Sequence, residues 1–209
     1  RNPAIDTLTI VRQYALPDAF PEPVLEEARK QADAFNDDAV PEGRRDFTDM
    51  LTITIDPFDA RDFDDAISLQ REDGRWRLWV HIADVSHFVP FGSTVDEEAR
   101  KRATSVYLPD RVIPMIPEII SNHLASLQPD RIRLVKTVEI EIQNDLTITH
   151  TEVHNGAIHS DMRLNYEQVD KFLASPESHV EKWGSSICEL LKGMHSLAMQ
   201  MRKARFAGG

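Results

Sequence analysis

The sequence predicts an α+β fold in which a mixed, mainly antiparallel sheet is backed by helices. Three observations predict it. Short β-branched runs alternate apolar and polar residues, as in "MLTITI" (50–55), the pattern of a strand with one buried face. Runs of this kind are joined through Asp73-Gly74 and Asn144-Asp145, dipeptides suited to tight hairpin turns. Longer stretches at 22–37 and 177–205 repeat their apolar residues at helical spacing, which predicts amphipathic helices.

Taken in order, residues 1–23 are punctuated by Pro3, Pro17, Pro21 and Pro23 and read as an extended lead-in. Val24, Leu25, Ala28, Ala32 and Phe35 mark the first helix, which Pro41 and Gly43 end. After the strand at 50–55 come strands at 66–70 and 75–83, forming the first hairpin. On 75–83, Trp76, Leu78, Val80 and Ile82 share one face, and Arg77, Trp79 and His81 the other. Thr94 and Glu97 have capping-box spacing for a helix through 95–104. The three prolines of "VYLPDRVIPMIP" (106–117) argue for an irregular segment. A short helix or turn at 118–127 precedes strands at 135–143 and 146–159. Ser175-Pro176 predicts the start of the last helix. Its inward face carries Val180, Trp183, Ile187, Leu190, Leu191, Met194, Leu197, Ala198 and Met201, and Gly184 and Gly193 weaken it locally.

The net charge of −11 argues against a dedicated nucleic-acid-binding module, which usually carries a basic surface. Residues 100–136 run the other way, with seven basic side chains against three acidic ones. That segment reads either as a phosphate-facing surface or as an ordinary solvated face. A single cysteine, Cys188, excludes an internal disulfide and suits an intracellular, cytoplasmic protein. It sits in an apolar helical pattern, as a buried structural thiol does. No apolar run approaches the ~18 residues of a membrane span, and the N-terminal stretch lacks the features of a signal peptide. The chain reads as one cut from something longer.

The segment "TIDPFDARDFDDA" (54–66) carries chemistry. It places Asp56, Asp59, Asp62, Asp64 and Asp65 within ten positions. One or two aspartates after a strand cap or turn. Five raise one another's pKa values unless a cation or open water offsets them. A solvated acidic loop is one reading, but "FDDAIS" leads straight into an apolar strand, which favours a cation. Hard oxygen donors suit Mg²⁺ or Mn²⁺. No frame has both the glycine at loop position six and the glutamate at twelve that a calcium EF-hand requires. Zinc would rely on histidines, and His150 and His154 are roughly 13 Å apart along a strand. Nucleophile-elbow, dinucleotide and P-loop signatures are absent. His81 and His87 read as structural or supporting residues.

At "TIDPFDARDFDDAIS" the sequence resembles the catalytic domain of the RNB family, the exoribonucleases of the ribonuclease II and ribonuclease R type. "RLWVHIADVSHFV" (77–89), "GSTVDEEARKRATSVYLPDRVIPMIP" (92–117) and "ISNHLASLQPDRIRL" (120–134) follow in the family's order. The resemblance covers most of residues 5–205. It implies a 3′-to-5′ exoribonuclease that hydrolyses single-stranded RNA processively to nucleoside 5′-monophosphates with Mg²⁺. Asp56, Asp62, Asp64 and Asp65 match the family's acidic catalytic and metal positions, with Asp59 left as a turn residue. Tyr107, in "SVYLP", matches an aromatic that stacks on a base. Ala125 and Ile120 depart from the family pattern as packing changes. The resemblance further implies that residues 1–45 are a linker and helix, and that 46–209 are the N-terminal portion of the catalytic domain. A downstream arginine and flanking cold-shock and S1 OB-folds are expected in the full-length protein. Two other readings stand beside the nuclease: a catalytically silent RNA-binding or scaffold version of the domain, and a simple acidic cation-binding module.

Overall fold

The structure is a computed structural model that describes residues 3–207. In chain order the elements are α1 (Pro3–Gln13), α2 (Glu22–Ala34), β1 (Arg45–Asp46), β2 (Ile53–Asp56), β3 (Asp65–Glu72) and β4 (Arg75–Ala83). Then come α3 (Val85–Phe88), α4 (Thr94–Arg102), β5 (Val106–Tyr107), β6 (Val112–Ile113) and a π-helical turn, Ile119–Leu124. The chain continues with β7 (Ile132–Ile142), β8 (Ile148–His159), β9 (Met162–Asn165) and α5 (Tyr166–Ala174). A 3₁₀ turn (Pro176–His179), α6 (Val180–Trp183) and α7 (Ser185–Ala207) complete it. These elements form two units: Arg1–Asn36 with Asp84–Ser126, and Asp37–Ala83 with Leu127–Gly209.

The second unit is built on a seven-stranded sheet of order β1-β8-β7-β4-β3-β2-β9. The inner ladders are antiparallel, while β1 on β8 and β9 on β2 pair in parallel at the two edges. The β3–β4 hairpin closes through Asp73 and Gly74, both at positive φ (49° and 78°), the geometry a two-residue turn needs to match strand twist. Helices α5 to α7 cover one face. There Ile53, Leu164, Phe172, Trp183, Ile187, Cys188 and Leu191 form one core cluster, and Trp76, Ile142 and Leu197 another. Each such side chain, fully buried, contributes about 1.5–3 kcal/mol. Cys188 lies in this core, as its apolar setting predicts.

Trp79 and His81, on the other face of β4, are buried as well. Phe47 lies edge-on to His81, with ring centroids 5.7 Å apart. A Cβ on Gly156 would come within 2.7 Å of the Phe47 ring, so glycine is what allows that ring to lie against β8. A buried hydrogen-bond chain crosses the sheet here. Thr52 Oγ1 and Ser68 Oγ are 2.7 Å apart, Ser68 Oγ and His81 Nε2 3.2 Å, and His81 Nδ1 and Thr137 Oγ1 2.9 Å.

In the first unit, α2 buries Val24 and Ala28. Arg102 at the end of α4 donates to the carbonyls of Pro17 (2.7 Å) and Ala19 (2.6 Å), pairs with Glu98 (3.0 Å) and lies over the Phe20 ring. These contacts order the proline-rich stretch before α2. Ile120 and Ala125 are both buried, in keeping with packing roles.

The mixed, mainly antiparallel sheet with helices agrees with the predicted class, and several elements differ in detail. Pro3–Gln13 is helical rather than extended, because a proline in the first turn costs no hydrogen bond. Strand β2 begins at Ile53 and includes Asp56, which therefore sits on the strand and not after it. The cap of α4 is Ser93, whose Oγ accepts from Asp96 N at 3.1 Å, one residue before the predicted Thr94. Two-residue strands β5 and β6 pair within the segment expected to be irregular. The strand β9 and the helix α5 were not predicted. The final helix is divided at Gly184, whose φ of 80° the α-helix does not accommodate. Ala198 and Met201 are exposed rather than inward.

His81 generates a stability prediction. Burial holds its pKa down to about 4, against 6.5 for the free side chain. The unfolded chain therefore takes up the proton first. The stabilisation is complete above about pH 6.5 and is lost as pH falls towards 4, by about 3 kcal/mol. In urea denaturation, the stability gap between the parent protein and His81→Asn is expected to narrow by about that amount between pH 7 and pH 4. A pH-independent gap would contradict a buried neutral imidazole.

Candidate active site

The acidic segment spans the end of β2, an eight-residue connection, and the start of β3. Asp56 is the last residue of β2, Asp65 is the first of β3, and Asp62 and Asp64 lie between them. Antiparallel pairing of β2 and β3, with Ile53 opposite Ile67, brings these strand ends side by side. The connection is held along its length. Ala60 N donates to Pro57 O at 3.2 Å, closing a turn. Leu127 N donates to Phe63 O and Ala83 N to Asp64 O, both at 2.8 Å. Arg163, on β9, donates from Nη2 to Phe58 O (3.0 Å) and Ala60 O (3.1 Å) and lies over the buried Phe63 ring, 4.3 Å from its centroid.

The electrostatics link all four predicted aspartates. Asp56 is 8% exposed. Burial, then the charge on Asp65, pushes its carboxyl up to about 6. Thr54 and Arg163 pull the other way, and Asp64 adds to the rise. Asp64 opens to solvent, yet the protein packed around it still raises its pKa, and Asp62 and Asp65 raise it further. Asp56 Oδ2 is buried without a hydrogen-bond partner of good geometry, as is Thr54 Oγ1. An orphaned carboxylate oxygen is expensive to bury. Its position among further carboxylates fits the hard-oxygen donor set of a divalent cation.

Tyr107 is on β5 in the first unit, and the aspartates belong to the second. It is 72% exposed. The basic stretch is largely paired internally. Arg100 bonds Asp96, Arg102 bonds Glu98, Arg111 bonds Asp110, Arg131 and Arg133 pair with Asp37, and Lys136 bonds Asn155. The solvated or structural reading therefore accounts for most of these charges.

No three of the four aspartates bring carboxylate oxygens within 4.8 Å of one another; among the described residues one group does, and it was not foreseen. Glu139, Glu152 and His154 bring ligand atoms within 4.8 Å of one another and could hold a metal ion. Arg45 already supplies positive charge there, 3.2 Å from Glu139 and 2.9 Å from His154. Sequence reasoning also missed Arg163 and two exposed aromatics, Phe58 on the acidic connection and Tyr166 just past β9. Asn165, which pairs with Asp56 across the β2–β9 ladder, caps α5 with Gln168 in a reciprocal capping box. That Asn-x-x-Gln spacing was the available signal for α5.

The RNB domain profile matches residues 44–209, and the chain belongs to that family. Ribonuclease R of Thermotoga maritima is 42% identical over 208 residues, covering 98% of this chain and 29% of that protein. The ribonuclease R of Mycoplasma genitalium, solved with ribose-methylated single-stranded RNA, superposes with a TM-score of 0.87 at 31% identity, over 97% of this chain and 31% of that one. Its complex with double-stranded RNA gives 0.86 at 30% identity, over 97% and 36%. Yeast Ssd1, a pseudonuclease, gives 0.60 at 26% identity, over 68% and 18%. The chain thus spans less than a third of the length of the Thermotoga relative. Among the described residues, no helix is long and apolar enough to cross a membrane.

The raised Asp56 pKa gives a second prediction. A carboxyl raised from 3.8 to about 6 in the fold stabilises below pH 3.8, and that contribution is lost as pH rises through 6. In metal-free buffer, Asp56→Asn is expected to gain about 1–2 kcal/mol on the parent between pH 5 and pH 8. Adding Mg²⁺ should raise the parent's melting temperature more at pH 8 than at pH 5, and leave the variant's unchanged. Equal Mg²⁺ responses in the two proteins would count against cation binding at Asp56.

Proposed function

We propose that this chain is the N-terminal portion of the catalytic domain of a 3′-to-5′ exoribonuclease, with residues 1–45 leading into it and 46–209 forming that portion. Its substrate is single-stranded RNA, hydrolysed processively to nucleoside 5′-monophosphates. The observation that carries this reading is the orphaned, buried Asp56 Oδ2, which lies close enough to Asp65 and Asp64 to feel their charges, within an RNB domain.

In this reading Asp56, Asp62, Asp64 and Asp65 are the catalytic and metal residues, and Mg²⁺ is the ion, with Mn²⁺ able to replace it. When bound, the ion supplies an acidified water and offsets charge on the scissile phosphate. Asp56 and Asp65, one at each strand end, form the tighter part of the site. Asp62 and Asp64 complete it or orient the attacking water. Tyr107 provides a stacking face for a base, which grips RNA without reading its sequence, at about 1–3 kcal/mol per base. The exposed rings of Phe58 and Tyr166 offer similar faces beside the quartet. Cold-shock and S1 OB-folds in the full-length protein supply most of the basic channel that a net charge of −11 does not. A cytoplasmic location suits a chain whose single cysteine is buried and unpaired.

The likeness to a pseudonuclease supports a second reading, a silent RNA-binding version of the domain. The complete quartet favours the active one. The test is product analysis with the full-length protein, Mg²⁺ and end-labelled single-stranded RNA. Nucleoside 5′-monophosphates released from the 3′ end are expected, with Asp64→Asn lowering turnover at least about 100-fold while RNA binding persists. RNA binding without products from the parent protein would favour the silent version.

A further inference from the structure

The geometry points to Arg163 as a positioning residue that holds the acidic connection in the bent shape its cation requires. This inference rests on the proposed metal site and deepens it. Arg163 comes from outside the acidic segment. It lies on β9, where parallel pairing sets Thr54 opposite Arg163 and Asp56 opposite Asn165. From there one guanidinium grips the connection at three points: the carbonyls of Phe58 and Ala60, and the face of the Phe63 ring. The gripped residues alternate with the acidic ones. Phe58 and Ala60 flank Asp59, and Phe63 separates Asp62 from Asp64. Fixing those three fixes where the carboxylates project.

The connection needs such a clamp. It has no regular structure of its own, and its like charges repel. In the absence of a cation, that repulsion favours an open loop with separated ligands. A loop held closed beforehand spends less binding energy on ordering, so the ion binds more tightly. Lysine cannot replace these contacts. Stacking on Phe63 while donating from one nitrogen to two carbonyls uses the flat guanidinium, and an ammonium offers a point charge. Arg163 is itself exposed, so its loss should leave the core of the sheet intact.

The test compares the full-length protein with Arg163→Lys and Arg163→Ala. Mn²⁺ affinity is read by electron paramagnetic resonance without RNA, the Mg²⁺ dependence of turnover with RNA, and amide exchange across 57–64 without metal. Expected for Arg163→Ala are about tenfold weaker Mn²⁺ binding, a matching rise in the Mg²⁺ needed for half-maximal rate, and about tenfold faster exchange in the loop. Turnover at saturating Mg²⁺ and the KM for RNA should stay near the parent's, with Arg163→Lys falling between. Unchanged Mn²⁺ affinity and exchange in Arg163→Ala would overturn the clamp. So would a raised KM for RNA at unchanged Mg²⁺ dependence, which would make Arg163 a phosphate contact. If the parent protein binds no Mn²⁺ at the quartet, the metal-site reading and the positioning role both fail. The exchange data then judge the loop contacts alone.

Discussion

Negative charge gathered where solvent cannot fully screen it is the constraint on which this structure turns. Asp56 is nearly buried at the end of β2, with one oxygen lacking a hydrogen bond, and the chain returns three more carboxylates to the same hairpin end. Such an arrangement costs stability as the groups ionise. The structure offsets part of that cost with rigid supports. The parallel β2–β9 pairing delivers Arg163 to the loop, and the ends of β4 and of the segment before β7 pin its far side through backbone hydrogen bonds. What remains uncompensated is the buried Asp56 oxygen beside the charges of Asp64 and Asp65, the feature on which the proposed cation site rests.

The rest of the sheet unit serves to keep that hairpin end fixed. Burial on both faces makes the central strands stiff. On one face the helices α5 to α7 supply apolar packing, and on the other Phe47 and the Thr52–Ser68–His81–Thr137 chain fill the space with satisfied polar groups. A register slip of one residue in β3 would break this hydrogen-bond chain and move Asp65 to the opposite face. Sheet register and site geometry are thus the same constraint met at two places.

Local signals in the sequence carried much of this. Asp73-Gly74 marks the β3–β4 turn because only a few residues tolerate two consecutive positive φ values, and the aspartate spacing stands out because so many like charges rarely adjoin apolar strands. Long-range pairings were hidden. Strand β9 is four residues long and gains its place only by pairing with β2, more than a hundred positions earlier, so no local pattern announces it or the reach of Arg163. The prolines near the N-terminus misled in a different way. They disfavour helix interiors but are tolerated in a first turn, where Pro3 sits. The pairing partners of the basic stretch, Asp37 among them, were likewise out of sight of a charge count.

The central claim is that the quartet gathers a divalent cation. Crystals of the full-length protein soaked in Mn²⁺ and measured at an anomalous wavelength test it most directly. An anomalous peak is expected within direct coordination distance of an Asp56 oxygen, with Asp65 and at least one of Asp62 and Asp64 also in its coordination sphere. A peak only among Glu139, Glu152 and His154, with the four aspartates lacking one, would contradict it.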